Sequence, residues 1–188
     1  MGTTNVALKG LDELLLPLGF RRQKQTWNRR SGPLVDVIDV QTRKAGDTMT
    51  VNVGVLDAEI YSQCWGEDPP SFVQEPQCTV RARLGQLLNG RDVWWPVGSP
   101  EVRRTVASSA VPFLERMHAP GGMEEFLISS AAIKVKHPHP PPVIYLALLM
   151  NRRGDRPGAC ALLGELQKRT LGTWRASVGE VAMRLGCA

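Results

Sequence analysis

The residues best placed to do chemistry are polar side chains embedded in apolar strands. Asp36 and Asp39 interrupt the β-branched run Leu34–Gln41. Side chains alternate along a strand, so the two acids point to opposite faces and Gln41 shares the face of Asp39. Asn52 falls on the polar side of the next alternating run, Met49–Val55, and Arg81 and Arg83 follow in Cys78–Leu84. If that fourth segment joins the same sheet, an acid, two amides and arginine converge. Such a group could hold a ligand or a partner. The structural reading, a buried Asp paired with Arg, comes ahead of that, because a buried carboxylate requires a counter-group in any case. An enzyme site, if the chain has one, would be assembled from Asp39, Asn52 and Arg81.

Other chemistry finds little support. His137 and His139 are separated by one proline and could approach a single ion, but no acidic neighbour completes a ligand set, and no metal or other cofactor is expected. There is no G-x-S-x-G elbow, no GxxxxGK[ST] phosphate loop and no G-x-G-x-x-G fingerprint. None of Cys64, Cys78, Cys160 and Cys187 forms a CxxC pair. No catalytic residue is nominated. Arg153-Gly154-Asp155 spells an adhesion tripeptide but falls in a turn between helices, where chance explains it.

A second candidate surface is electrostatic. Arg21, Arg22, Lys24, Arg29 and Arg30 fall within ten residues that contain no acid, and Trp27 is the one aromatic among them. The cluster reads either as a solvated helix exit with an exposed strand, or as a phosphate-binding patch. A dedicated nucleic-acid binder usually adds more stacking aromatics beside its charge.

These groups have to be positioned by a small set of elements. Leu8, Leu11, Leu14, Leu15 and Leu18 recur at helical spacing, and Pro17 and Gly19 end that helix. Gln25–Arg30, Leu34–Gln41 and Met49–Val55 read as strands joined by turns at Ser31-Gly32-Pro33 and Ala45-Gly46-Asp47, a three-stranded meander. Gln77–Leu84 reads as a fourth strand or a short helix. Trp94 and Trp95, just before Pro96, are expected to cap the edge of the core. Ser99 followed by Pro100 is a helix start, and Pro112 predicts a kink in that helix. Four prolines between His137 and Pro142 predict an extended linker. Val143–Met150 and Ala159–Arg169 then form a helical hairpin, and Trp174, Val178, Val181, Ala182 and Leu185 stripe a last helix.

The class is therefore α+β, a short antiparallel meander of three to four strands packed against helices, with a C-terminal helical hairpin and a terminal helix. Residues 1–136 form the α+β domain, 137–142 the linker, and 143–188 a helical segment expected to pack on the same core. At 188 residues and 43% hydrophobic the chain can bury such a core without disulfides or metal. The net charge of +5 permits an acidic partner or nucleic acid without requiring either. Met1–Gly10 lacks a basic and apolar leader pattern, and Val143–Met150 is too short to cross a bilayer. A cytoplasmic protein without membrane contact, its cysteines reduced, is expected; an oxidising compartment could pair them.

In order and spacing, Leu-Pro-Leu-Gly-Phe-Arg-Arg (16–22), Thr-Trp-Asn-Arg (26–29), Val-Asp-Val-Ile-Asp-Val-Gln (35–41), Thr-Val-Asn-Val-Gly-Val (50–55) and Cys-Thr-Val-Arg-Ala-Arg-Leu (78–84) are similar to a bacterial family of unknown function, DUF4304. The resemblance covers about residues 8–130. It implies the fold but no activity and no catalytic residues. Asp39 stands where the family pattern has asparagine, so no shared role is carried to that position. Proximity of such families to toxin and immunity loci implies an immunity-like role.

Three functions follow as expectations. The first is a non-catalytic protein-binding module, in its specific form an immunity protein that occludes a toxin, with Asp39, Gln41, Asn52, Arg81, Arg83 and Trp27 as the binding residues. The net positive charge then favours a neutral or acidic partner. The second is nucleic-acid binding through Arg21, Arg22, Lys24, Arg29 and Arg30. The third is an enzyme whose site lies on the sheet face.

Overall fold

The computed structural model describes residues 3–129 and 140–187. It divides into two compact units, Met1–Asp57 with Pro70–Ala119, and Ala58–Pro69 with Pro120–Ala188.

The first unit is built on an antiparallel sheet. Strands β1 (Arg21–Gln23), β2 (Thr26–Ser31), β3 (Leu34–Thr42), β4 (Thr48–Asp57) and β5 (Val80–Arg83) lie in sequence order, and β6 (Trp95–Pro96) also pairs with β4. The sheet is larger than the three or four strands read from the sequence. The two missed strands are two and three residues long, too short to show a period of two. The fourth segment takes the strand reading, as β5, with a 3-10 turn at Glu75–Gln77 before it and a short helix α3 (Leu84–Asn89) after it.

Register fixes which residues share a face. Thr26, Asp39, Asn52 and Arg83 form one cross-strand row, and Asn28, Val37, Gly54 and Arg81 the next on the same face. Trp27, Ile38, Val53 and Ala82 form a row on the other face. That second face is sealed by α1 (Thr3–Leu15) and by a long helix running as α4 (Pro100–Thr105), a π turn (Val106–Ala110) and α5 (Val111–His118). Gly19 ends the N-terminal helix at φ 87°, a backbone region that an L side chain rarely adopts. Ser99 caps α4 by accepting from the Glu101 amide. The kink expected at Pro112 is relieved one turn earlier. Proline offers no N–H to the carbonyl of Ser108, and the π turn absorbs the mismatch, with the Val111 amide reaching back to the Val106 carbonyl.

Between the sheet and these helices lie Leu11, Leu15, Trp27, Ile38, Val53 and Leu114, all essentially inaccessible. Trp27 is anchored as well as buried, its indole donating to Asp12 Oδ1 at 2.9 Å. Each of the large aliphatic groups contributes about 1.5–3 kcal/mol of transfer free energy.

The second unit is helical: α2 (Ala58–Trp65), α6 (Gly122–Ser129), α7 (Pro140–Arg152), α8 (Arg156–Arg169) and α9 (Thr173–Arg184). Helix α7 is its centre, with Val143 through Leu149 all buried, as a helix apolar on every side must be. Of the linker expected at 137–142, residues 137–139 lie outside the described residues, so His137 and His139 do too, while Pro140–Pro142 form the first turn of α7. The amides of a first turn lack intrahelical partners, so prolines fit there without losing a hydrogen bond. The hairpin turns at Gly154 (φ 97°), and Asp155 caps α8 by accepting from the Gly158 amide.

One expectation is corrected here. Cys160 on α8 and Cys187 beyond α9 form a disulfide, with Cα atoms 5.4 Å apart, rather than two free thiols. The antiparallel return of α9 along α8 brings together two cysteines 27 residues apart, a proximity that no short spacing motif encodes. Cys64 and Cys78 remain free and buried. No described helix is long and apolar enough to cross a membrane.

Candidate functional site

The face of the sheet away from α1 and α5 is polar, and a segment of extended chain is laid across it. Asn28 holds that segment by both ends of its amide: Nδ2 donates to the Val73 carbonyl at 2.9 Å, and the Val73 amide donates to Oδ1 at 2.7 Å. Arg30 Nη2 donates to the carbonyls of Pro70 and Ser71 at 3.1 and 3.0 Å. Farther along, Arg81 grips Glu75 in a two-point pair at 2.7 and 2.9 Å. Cys78 then crosses so close to Gly54 that a Cβ there would stand 2.8 Å from the cysteine's Cβ and Sγ. The glycine in β4 is a steric requirement of the crossing. Replacing Asn28 with alanine strands a buried N–H and a buried C=O, and should cost about 2 kcal/mol while opening residues 70–78 to protease. Urea unfolding and limited proteolysis check this; unchanged cleavage would show that Asn28 does not hold the segment.

The crossing leaves two recesses on the polar face. The one over β3–β5, about 250 Å³, is lined by Gln41, Asn52, Glu75, Arg81, Ala82, Arg83 and Gln86. Four of the six residues expected to bind therefore come together. Asp39 lies beneath them, its Oδ1 accepting from Thr26 Oγ1 at 2.7 Å and its Oδ2 from Asn52 Nδ2 at 3.3 Å. Trp27 does not join them, because its alternation places it on the opposite face, in the core.

At the rim, Arg83 donates to Asp92 at 2.7 Å, and the Trp94 indole donates to the same oxygen at 3.3 Å. The Arg83 hydrogen bond, aided by the Trp94 indole and the charges of Arg83 and Arg43, holds the Asp92 carboxyl below its usual range. Trp94 is half-buried, with the guanidinium carbons of Arg43 and Arg83 at 4.7 and 5.6 Å from its ring centroid. The position of the pair before Pro96 predicts both tryptophans at the core edge. Trp95 is there, buried against Met49, but Trp94 faces the other way. The signal for Trp94 was available in the alternation of two adjacent residues; Glu75 and Gln86 gave none.

The second recess, about 630 Å³, lies over β1 and β2 and is lined by Gly19, Arg21, Arg22, Gln23, Asn28, Arg30, Ser71 and Phe72. The basic cluster is divided by strand alternation. Arg21 and Arg30 share the polar face, since Arg21 pairs with Asn28 and Arg30 follows Asn28 by two. Arg22 and Arg29 point the other way. Arg22 pairs with Asp12 at 3.0 Å, and Arg29 with Asp36 at 2.8 Å while lying over Phe20. Lys24 occupies the β1–β2 turn at φ 54°. The buried acid paired with arginine is Asp36, on the helix-covered face, with His118 as a second partner at 2.7 Å, whereas Asp39, where such a pair was expected, bonds Thr26 and Asn52 instead.

Burial pushes the Cys78 thiol well above its ordinary range, reinforced by the negative charge of Glu75, and pushes Cys64 up to about 12. Neither is an activated nucleophile. Among the described residues no three His, Cys, Asp or Glu side chains are grouped to hold a metal.

No curated protein matches the chain, and no solved structure does. Residues 11–116, more than half of its length and most of the sheet unit, match the family described as Domain of unknown function (DUF4304). The chain is a member of the DUF4304 family.

Proposed function

We propose that this chain is a non-catalytic protein-binding module that receives its partner on the polar sheet face over β3–β5. The observation that carries the reading is the convergence of Gln41, Asn52, Arg81, Arg83 and Gln86 around one recess, with Trp94 and Arg43 at its rim. The acids nearby are already bonded, Glu75 to Arg81, Asp39 to Thr26 and Asn52, and Asp92 to Arg83. They act as fixed charges that orient donors rather than as groups that shuttle protons. Amides and guanidiniums held in this way suit a peptide segment presenting carbonyls and a carboxylate. Tryptophan and arginine are also the residues on which binding energy concentrates at protein interfaces.

The full chain used as bait in lysate of its source cells tests this, beside the double variant Arg83→Ala, Trp94→Ala and a control at exposed Arg104. The expected result is a protein recovered by the wild type and the control and depleted at least about tenfold with the double variant. Identical recoveries would sink the reading. An immunity role is its specific form: the recovered partner arrests growth when expressed alone, and co-expression of this chain restores growth. A harmless partner removes that form.

A second reading, nucleic-acid binding, is favoured by one observation. Trp94 flanked by two guanidiniums is the aromatic-with-charge pairing on which bases stack. It requires affinity for single strands that falls steeply with salt and is lost with Trp94→Ala. No binding at about 50 mM salt would exclude it.

A further inference from the structure

We propose that the recess over β1 and β2 is a separate binding site for a nucleoside monophosphate, its phosphate held between Arg21 and Arg30 and its base against Phe72.

Three features of the recess point there. Its lining contains no acid, and of its three arginines Arg21 and Arg30 share the polar face. Arg22 is spent on Asp12, which leaves two guanidiniums for the recess. Arg21 has no ion-pair partner among the described residues. Arg30 is already immobilised, because Nη2 alone donates to the carbonyls of Pro70 and Ser71 and the rest of its fork stays available. A guanidinium fixed before binding loses little freedom when it takes an anion, and its planar fork matches two phosphate oxygens.

The spacing is also suitable. Arg21 is directly opposite Asn28, so Arg30 is its diagonal neighbour across the β1–β2 pair. Diagonal neighbours stand roughly 7–8 Å apart, a gap that long side chains close over one phosphate. Phe72, half-buried beside Ser71, is the aromatic of the lining and offers a flat apolar surface. A volume of about 630 Å³ lies in the range of small-molecule sites. A phosphate alone would leave most of that space and the ring of Phe72 unused. A base and ribose fill it.

The site is distinct from the one over β3–β5, so either can fail without the other. Calorimetry on the full chain with AMP, GMP, CMP, UMP, adenosine and inorganic phosphate tests it. At least one monophosphate should bind, with adenosine and inorganic phosphate weaker by about tenfold or more, because each lacks one half of the contact. Arg21→Gln, an exposed change that breaks no described bond, should weaken that monophosphate by about tenfold. Phe72→Leu should weaken the monophosphate but leave inorganic phosphate unchanged. Melting curves confirm that both variants fold. The assignment is overturned if no monophosphate binds, if Arg21→Gln binds as the wild type does, or if inorganic phosphate matches the best monophosphate. It is also overturned if a single-stranded oligonucleotide binds where every monophosphate fails.

Discussion

Replacing Asp36 with alanine should lower the stability of the sheet unit by about 3 kcal/mol, the largest effect expected from any single polar residue. The carboxylate is fully buried in β3, where it accepts from Arg29 Nε at 2.8 Å and bonds His118 Nε2 at 2.7 Å. Removing it leaves a guanidinium and an imidazole facing a hole between sheet and helix, with no acceptor for either. Both partners retain some contact with water, their side chains being 21% and 24% exposed, and this holds the loss toward the lower end for buried ion pairs. Arg29 also packs over Phe20 at 4.8 Å, so Arg29→Met keeps the packing, but it leaves the fully buried carboxylate with only His118 of these two partners and should cost about as much as the loss of the acid. The double variant Asp36→Ala, Arg29→Met should recover part of the loss. Urea unfolding and amide exchange along β3 and β4 measure it; a loss below about 1 kcal/mol would mean that the two partners reach other acceptors or water without penalty.

Opening the Cys160–Cys187 bond should cost the helical unit about 3.5 kcal/mol, because a loop of 27 residues then regains its freedom in the unfolded chain. The bond closes α8 onto the chain beyond α9, beside the hydrogen bond from Arg156 to the Gly186 carbonyl. Loss of protection should therefore concentrate in α9, and Cys160→Ser should reproduce the effect of a reductant. Thiol counting separates the cysteines. At about pH 8 a free, accessible thiol reacts readily, whereas Cys64 and Cys78, both buried and both with raised pKa, stay protonated and covered. The native protein should show no fast thiol before reduction and two after it. Four fast thiols in native protein, or a reduced form as stable as the oxidised one, would contradict the clasp. A reducing cytoplasm would keep this bond open. Redox state then sets how firmly α9 is held.

Much of the sheet unit was legible because its signals are local. Met49–Val55 alternates, Leu34–Gln41 is apolar on both sides, and the turns at Gly32 and Gly46 sit where positive φ is needed. Those three runs became β2, β3 and β4 within one or two residues at each end. Face assignments follow from the same alternation, which is why the sequence alone groups Gln41, Asn52, Arg81 and Arg83. The basic cluster is divided for a related reason. Adjacency in sequence suggested one patch, but a strand sends neighbours to opposite faces, so Arg22 and Arg29 serve ion pairs on the helix-covered face. Elements of two to eight residues, such as β1, β6 and α2, carry too few turns of helix or pleats to show a period.

By itself, then, the sequence determined the α+β class, the meander, the alternation of its faces and the family, since hydrophobic period and turn chemistry are properties of neighbouring residues. Only the tertiary structure decided that residues 70–78 cross the polar face and split it into two recesses, that Asp36 meets His118, and that Cys160 meets Cys187. Each of those depends on where distant segments return, and a return path is set by the packing of whole elements rather than by the residues that finally touch.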